Sequence, residues 1–379
     1  MMRRLLLFVL ILIPNALLLC ENCIQIEDVF FDAKNESFFV SVDEKLVKTS
    51  LWDPFVFNIK KLKFCKKESA RRFDDARIWE GATVFLCDSC TSNLCHPFHF
   101  LEHLLGIWCF GGCEERENIQ HIVFCAKDSS SFDFDWEGEK KISKKILHAL
   151  FPNARVCTLK SLKEKKHSKI FIQKLLFSSR YISFIDPDCC KIKKMLGGCW
   201  ECIPADKLEL FRSLILSSCN VFVESCYGCP RITFLPRHPP CYLNKKIEKH
   251  LIHTLSDLTG CSICVPDLEK MRFEEMLKVF ANTDILISTH GKGLCHILFL
   301  PRYAMVVELF PPDCFVWDYY LFAQMRKLDY WGNSKDLWIT PTKHPEWGPF
   351  GDIDREVDPI DIDTLLFAIR EKIQRLGCN

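Results

Sequence analysis

Several things are missing from this 379-residue sequence, and each absence removes a class of protein. Charge of one sign is not in excess. Fifty lysines and arginines stand against 49 aspartates and glutamates, so there is no global basic field to recruit nucleic acid. A local basic run, Lys160 to Lys169 (KSLKEKKHSK), reads as a solvated loop or helix face rather than a polyanion site. No internal repeat and no low-complexity tract is visible. The G-x-G-x-x-G and G-K-[ST] phosphate loops are absent, which leaves a nicotinamide or ATP enzyme without its fingerprint. G-x-S-x-G and H-E-x-x-H, the marks of an esterase and a zincin, are absent too. The N-terminal apolar run is short. Leu5 to Cys20 follows Arg3 and Arg4, is interrupted by Pro14 and Asn15, and falls below the ~20 residues a membrane span needs. Residues 1–20 read as a cleaved signal peptide, with a signal anchor as the alternative and membrane association only in that case. Either form delivers the rest of the chain to the secretory lumen.

What the sequence has in quantity is cysteine. Of its 23 cysteines, one (Cys20) leaves with the expected leader, and the even remainder suits a disulfide framework in an oxidising compartment. Four C-x-x-C pairs, Cys87/Cys90, Cys199/Cys202, Cys226/Cys229 and Cys261/Cys264, raise structural zinc as the rival. Cys199, Cys202, Cys226 and Cys229 come nearest to a zinc ribbon, though their central gap is long and no histidine pattern accompanies them. One sequon, Asn35-Glu36-Ser37, is a candidate N-glycan site and agrees with luminal residence.

The length suggests two domains. Short apolar runs such as SFFVSVD and PFVFNI predict strands and loops before residue 85; FHFLEHLLGIW and EKKISKKILHALF predict helices, and HIVFC, KIFIQKLLF and YISFI strands. The second half alternates more cleanly. PADKLELFRSLILSS predicts a helix, RITFLPR a strand, and NKKIEKHLIHTLSDL a helix with Asn244 as N-cap. CSICV, DILIS and MVVELF predict strands; RFEEMLKVFANT, GLCHILFL and DIDTLLFAIREKIQRL predict helices. Strand and helix in turn, with short connections, predict βαβ units and an α/β fold whose better-marked Rossmann-like unit is C-terminal.

His290-Gly291-Lys292-Gly293 sits where the predicted strand Ile285–Ser288 meets the predicted helix from Leu294. Ligands of open α/β sheets bind outside the carboxyl ends of strands, where helix N-termini present unpaired N–H groups to anions. Glycines admit a phosphate close to the backbone, and His290 adds a hydrogen bond. The competing reading is a bend that needs glycine for its backbone angles alone.

The stretch TDILISTHGKGLCHILFLPRYAMVVELFP resembles the signature of glycosyltransferase family 61, with matches at Asp284, His290, Gly291, Gly293, Leu294, Phe299, Leu300, Pro301, Glu308 and Pro311. RITFLPRHPPCYLN is similar to that family's strand, arginine and asparagine, giving Arg237 and Asn244; WDYYLFAQMRKLDYW resembles its aromatic segment. In HPFHFLEHLLG, His99 matches the family's histidine, while His96 and Glu102 replace its Asn and Asp. Lys292 stands where the family has Ala.

The resemblance implies a GT-B-type fold, two Rossmann-like domains whose parallel sheets face a cleft. It divides the chain into a leader (1–20), an acceptor-side domain (21–215), a nucleotide-sugar domain (216–350), and a tail (351–379) whose helix packs back across the cleft. It implies an inverting, UDP-sugar-dependent transferase of the endoplasmic reticulum or Golgi acting on a glycoprotein or glycan, with N-acetylglucosamine or xylose as the sugar. Arg237, Asn244, His290, Gly291, Lys292, Gly293, Leu294 and Glu308 would bind the donor, Glu308 on its ribose or uracil side. His99 would be the base with Glu102 orienting it. GT-B enzymes hold the diphosphate with backbone and basic side chains, so no metal and no cofactor beyond the donor is expected. His96, His99 and His103 have helical spacing that a metal face would share, but lining of the cleft is the preferred reading. The alternative to an enzyme is an inactive transferase fold kept as a secreted binding module.

Overall fold

The computed structural model describes residues 18–20, 23–40, 63–66, 75–87, 116–125, 142–164, 168–178, 205–224, 229–237, 241–310, 318–333, 355–356 and 362–377, together with residues 100, 101, 104, 105 and 108. The chain divides into two compact units, Met1–Ile182 and Ser183–Asn379. Helix Ala205–Ser218 thus belongs with the second.

The first unit holds β1 (Leu18–Cys20), β2 (Cys23–Asp32), β3 (Ser37–Val40), β4 (Lys63–Lys66), β5 (Arg77–Cys87), β6 (Ile119–Cys125), α1 (Ile142–Leu150), β7 (Arg155–Thr158), α2 (Leu159–Lys163) and β8 (Lys169–Ser178). Its sheet runs β4-β3-β2-β8-β5-β6-β7, with β1 paired to β2. The portion β8-β5-β6-β7 is parallel. β2 runs antiparallel to β1, β3 and β8, so this sheet is mostly rather than wholly parallel. For β3 the reason is local: β2 and β3 form a hairpin. Asp32 makes its tip by accepting from the Lys34 N–H at 3.0 Å and the Asn35 side-chain amide at 2.7 Å, and Glu36 takes a positive φ of 50°. Beneath the hairpin, Phe31 stacks on Phe38 at 4.4 Å and both meet the Phe85 edge, all fully or nearly fully buried. Phe100, Leu101, Leu104, Leu105 and Trp108 are helical and buried, as their spacing predicts.

The second unit holds α3 (Ala205–Ser218), β9 (Ile232–Leu235), β10 (Cys241–Tyr242), α4 (Lys245–Thr259), α5 (Phe273–Ala281), β11 (Ile285–Thr289), a 3-10 helix (Lys292–Phe299), β12 (Met305–Leu309), α6 (Asp318–Met325), β13 (Asp329–Gly332), β14 (Arg355–Glu356) and α7 (Ile362–Arg375). Its main sheet, β13-β12-β11-β9, is parallel throughout. Every residue of β9, β11 and β12 is buried, as a sheet covered on both faces requires. One face packs Ile232, Phe234, Ile285, Ile287, Val307 and Leu309 against Leu251 and Leu255 of α4 and Leu365, Leu366 and Ile369 of α7. Truncating such a residue, Ile287 for instance, removes ~2–5 kcal/mol. Asn244 caps α4 by accepting from the Lys246 N–H at 2.9 Å, and Gly260 ends it with φ 64°. The CSICV stretch is not a full strand. Cys264 makes a single bridge to Thr233. No helix of the described residues is long and apolar enough to cross a membrane.

Candidate functional site

At the carboxyl end of β11 the chain turns under three constraints. The His290 N–H donates to the Leu309 carbonyl at 2.8 Å, which ties the turn to the end of β12. Arg237, just beyond β9, donates from Nη1 to the His290 carbonyl. Gly291 has φ 149°, and a Cβ placed on it would overlap the Arg237 guanidinium, so glycine is required by backbone and neighbour together. Gly293 differs: a Cβ there would meet Leu235 Cδ1 at an ordinary 3.6 Å. Protein packing gives no reason for that second glycine.

The segment after the turn is a 3-10 helix, not the α-helix its apolar pattern predicts. Eight residues is long for this geometry, whose hydrogen bonds are poorer than those of an α-helix. Tertiary contacts hold it. Leu294, Cys295, Ile297, Leu298 and Phe299 are buried, and two buried arginines take its last carbonyls. Arg212 Nε donates to Phe299 O at 3.0 Å, and Arg326 Nη2 donates to Leu300 O at 2.9 Å. Glu209 joins the arginines, accepting from Arg212 at 2.9 Å and from Arg326 at 2.9 Å. Burial pushes the Glu209 carboxyl up, but Arg326 and Arg212 outweigh it and leave the group below its ordinary value.

A three-member relay runs across the sheet beneath the turn. Glu308 is completely buried; its Oε1 lies 2.6 Å from His290 Nδ1, and its Oε2 accepts from the Tyr330 hydroxyl at 2.6 Å. Strand register explains the alignment. Tyr330 pairs with Val306, two residues before Glu308, and Glu308 pairs with Ser288, two residues before His290, so all three share one face. Burial and then the Glu308 charge push the Tyr330 phenol well above its ordinary value, so it stays protonated and donating. The His290 ring stacks on Phe310, centroids 5.5 Å apart, with Tyr319 also at 5.5 Å.

The structure thus brings Arg237, His290, Gly291 and Glu308 together, with Lys292 exposed and Gly293 half-buried beside them. Leu294 anchors the turn in the core. Asn244 spends its side-chain oxygen on the α4 cap. Glu308 has both oxygens engaged and no exposure, so the ribose contact expected of it is corrected to an internal role, holding His290. His99, Glu102, His96 and His103 lie outside the described residues. Asn35 is exposed at the β2–β3 tip. Tyr330 and the arginine clamp of Arg212 and Arg326 carried no functional reading in the sequence. The alternation of DYW beside MVVEL holds the Tyr330 signal, but only pairing register reveals it.

Asp284, another signature residue, belongs to the opposite end of β11. Arg231 grips it with Nη2 at 2.9 Å and Nε at 3.0 Å, while the Arg231 N–H adds a third bond at 2.9 Å. Cys229 is bridged to Cys261, which takes one member out of the zinc-ribbon quartet. Among the described residues no group of three His, Cys, Asp or Glu side chains is placed to hold a metal. Asp-x-Asp triplets do occur in the chain, at Asp133/Asp135, Asp186/Asp188, Asp352/Asp354 and Asp361/Asp363; all but Asp363 lie outside the described residues.

Comparison with known proteins decides the family. The sequence profile described as Glycosyltransferase 61 matches residues 12–307. The chain belongs to glycosyltransferase family 61. It is 34% identical over 125 residues, 31% of this chain and 23% of the relative, to the EGF domain-specific O-linked N-acetylglucosamine transferase of Drosophila melanogaster. The protein of that name from Bos taurus is 33% identical over 119 residues, 31% of this chain and 22% of its own length. The matched segment thus spans under a quarter of either relative. Among solved structures, a D-isomer specific 2-hydroxyacid dehydrogenase from Xanthobacter autotrophicus Py2, in complex with NADPH and MES, is 13% identical, covering 78% of this chain and 95% of that one at a TM-score of 0.21. That similarity is too low to assign fold or ligand.

Proposed function

We propose that this family 61 glycosyltransferase moves a sugar from a UDP-sugar to a hydroxyl of a protein or glycan in the secretory lumen, inverting the anomeric carbon. The observation that carries the reading is the turn at His290. A bare glycine, an arginine guanidinium laid across it and a histidine fixed through one nitrogen converge at the carboxyl end of a parallel strand, where α/β sheets receive their ligands. Arg237, His290 and Lys292 would offset the charge that develops on the leaving diphosphate, while a base removes the acceptor proton. His99 is proposed as that base, with Glu102 orienting it. The names of the relatives favour N-acetylglucosamine over xylose as the transferred sugar. Asn35 is proposed as an N-glycan site, and the Cys229–Cys261 bond supports an oxidising compartment. No metal is needed in this reading.

The test is calorimetric titration of UDP into the wild type and His290→Asn. Alanine is the poorer choice, because it strands a Glu308 oxygen in the interior. Asparagine keeps a donor near the Nδ1 position and removes Nε2. Losing a hydrogen bond to a charged group costs ~1.5–3 kcal/mol, so UDP affinity should fall roughly ten- to a hundredfold with little change in melting temperature. Equal affinities would reduce the turn to a bend.

A further inference from the structure

We infer that Glu308 is a positioning residue that makes donor binding depend on a charged His290, an inference resting on the diphosphate reading above. The argument is one of donors and acceptors. The Glu308 carboxylate accepts, so the 2.6 Å contact places a proton on His290 Nδ1. Diphosphate oxygens also accept. An imidazole that bridges the two therefore carries a proton on each nitrogen and meets the donor as an imidazolium. With Nε2 bare, the ring would keep its bond to Glu308 and turn a lone pair toward the phosphate. The buried carboxylate supplies the countercharge that an imidazolium needs in this place, and the Tyr330 hydroxyl, bonded at 2.6 Å to the other oxygen, fixes the direction in which it points.

The groups facing His290 come from four elements. Glu308 lies on β12, with Tyr330 behind it on β13. Arg237, past the end of β9, bonds the His290 carbonyl. Tyr319 of α6 and Phe310 flank the ring, and Lys292 follows in the same turn.

Titration of UDP into the full chain between about pH 5 and 8 tests this, with His290→Asn and Glu308→Gln alongside. Comparison across variants cancels the ionisation of UDP itself. Wild-type affinity should decline toward alkaline pH more steeply than that of His290→Asn. Glu308→Gln keeps the shape but lacks the charge, and its amide oxygen can accept from His290 only while its NH2 donates to the Tyr330 oxygen; it should bind about tenfold more weakly near neutrality and recover at acid pH. An equal loss at every pH would mark Glu308 as structural and overturn the inference. A second measurement needs no variant. Nitrogen-15 spectra of labelled histidine in the UDP complex should show both His290 nitrogens protonated; a bare nitrogen would overturn it. Failure of the wild type to bind UDP at any pH would instead sink the diphosphate reading itself.

Discussion

The two ends of β11 handle charge in opposite ways. Before the strand, Asp284 is enclosed by Arg231 through three hydrogen bonds, and the same guanidinium reaches Glu224 O at 2.8 Å and Asn282 Oδ1 at 3.0 Å. Every strong donor there is spent on the protein. After the strand, the His290 ring is held through Nδ1, and the glycine beside it sets no side chain against the Arg237 guanidinium. Both ends belong to the same family signature, so signature membership by itself does not distinguish a clamp from a site. The bonds made among the described residues do.

Mutations at the two ends should separate along that line. The largest effect is expected from Asp284→Ala, which abandons a half-buried arginine and its local network. A loss of ~3 kcal/mol in urea unfolding should come without a change in UDP affinity for the folded fraction. A matching loss of affinity would erase the contrast. The two glycines sharpen it next. Gly291→Ala forces a side chain into the Arg237 guanidinium at a φ that favours glycine, and should cost ~1–3 kcal/mol of stability along with affinity. Gly293→Ala has room, so stability should stay within ~0.5 kcal/mol while UDP binding weakens. Unaltered binding in Gly293→Ala would show that no phosphate approaches that backbone.

The smallest effect comes from a histidine in the reverse situation. His121 lies flat on Trp79, centroids 4.2 Å apart, and burial, then Arg155 and Arg77, lower its pKa from 6.5 to about 4. Its unfolded form therefore takes a proton before the folded form does. Stability should be full above pH 6.5 and decline toward pH 4. The ring is half-exposed, so solvent screening cuts the loss to ~1 kcal/mol. His121→Phe, which keeps the stack, should flatten that decline in urea titrations at the two pH values; an unchanged slope would place the acid sensitivity elsewhere.

Much of the second unit was legible because its signals are local. Full burial of β9, β11 and β12 shows as largely apolar runs, and Asn244 marks the start of α4. What resisted reading depends on distant partners. Nothing within CIQIEDVFFD says that it will pair antiparallel with Lys169–Ser178, more than a hundred residues away. GLCHILFL has an α-helical pattern but forms a 3-10 helix, whose end is held by Arg212 and Arg326 from α3 and from just past α6. Glu308 is a signature position, yet its bond to Tyr330 enters only through strand register. Local periodicity marks where helices and strands lie; chemistry across strands needs the fold.

The Cys229–Cys261 bond ties the entry to β9 to the residue after the α4 cap, closing 32 residues of chain. By loop-closure entropy such a link is worth ~3–4 kcal/mol. Recombinant production in a reducing host would therefore yield the second unit with its first βα connection untied. A preparation lacking activity from such a source would speak about the host's redox chemistry before it spoke about the enzyme.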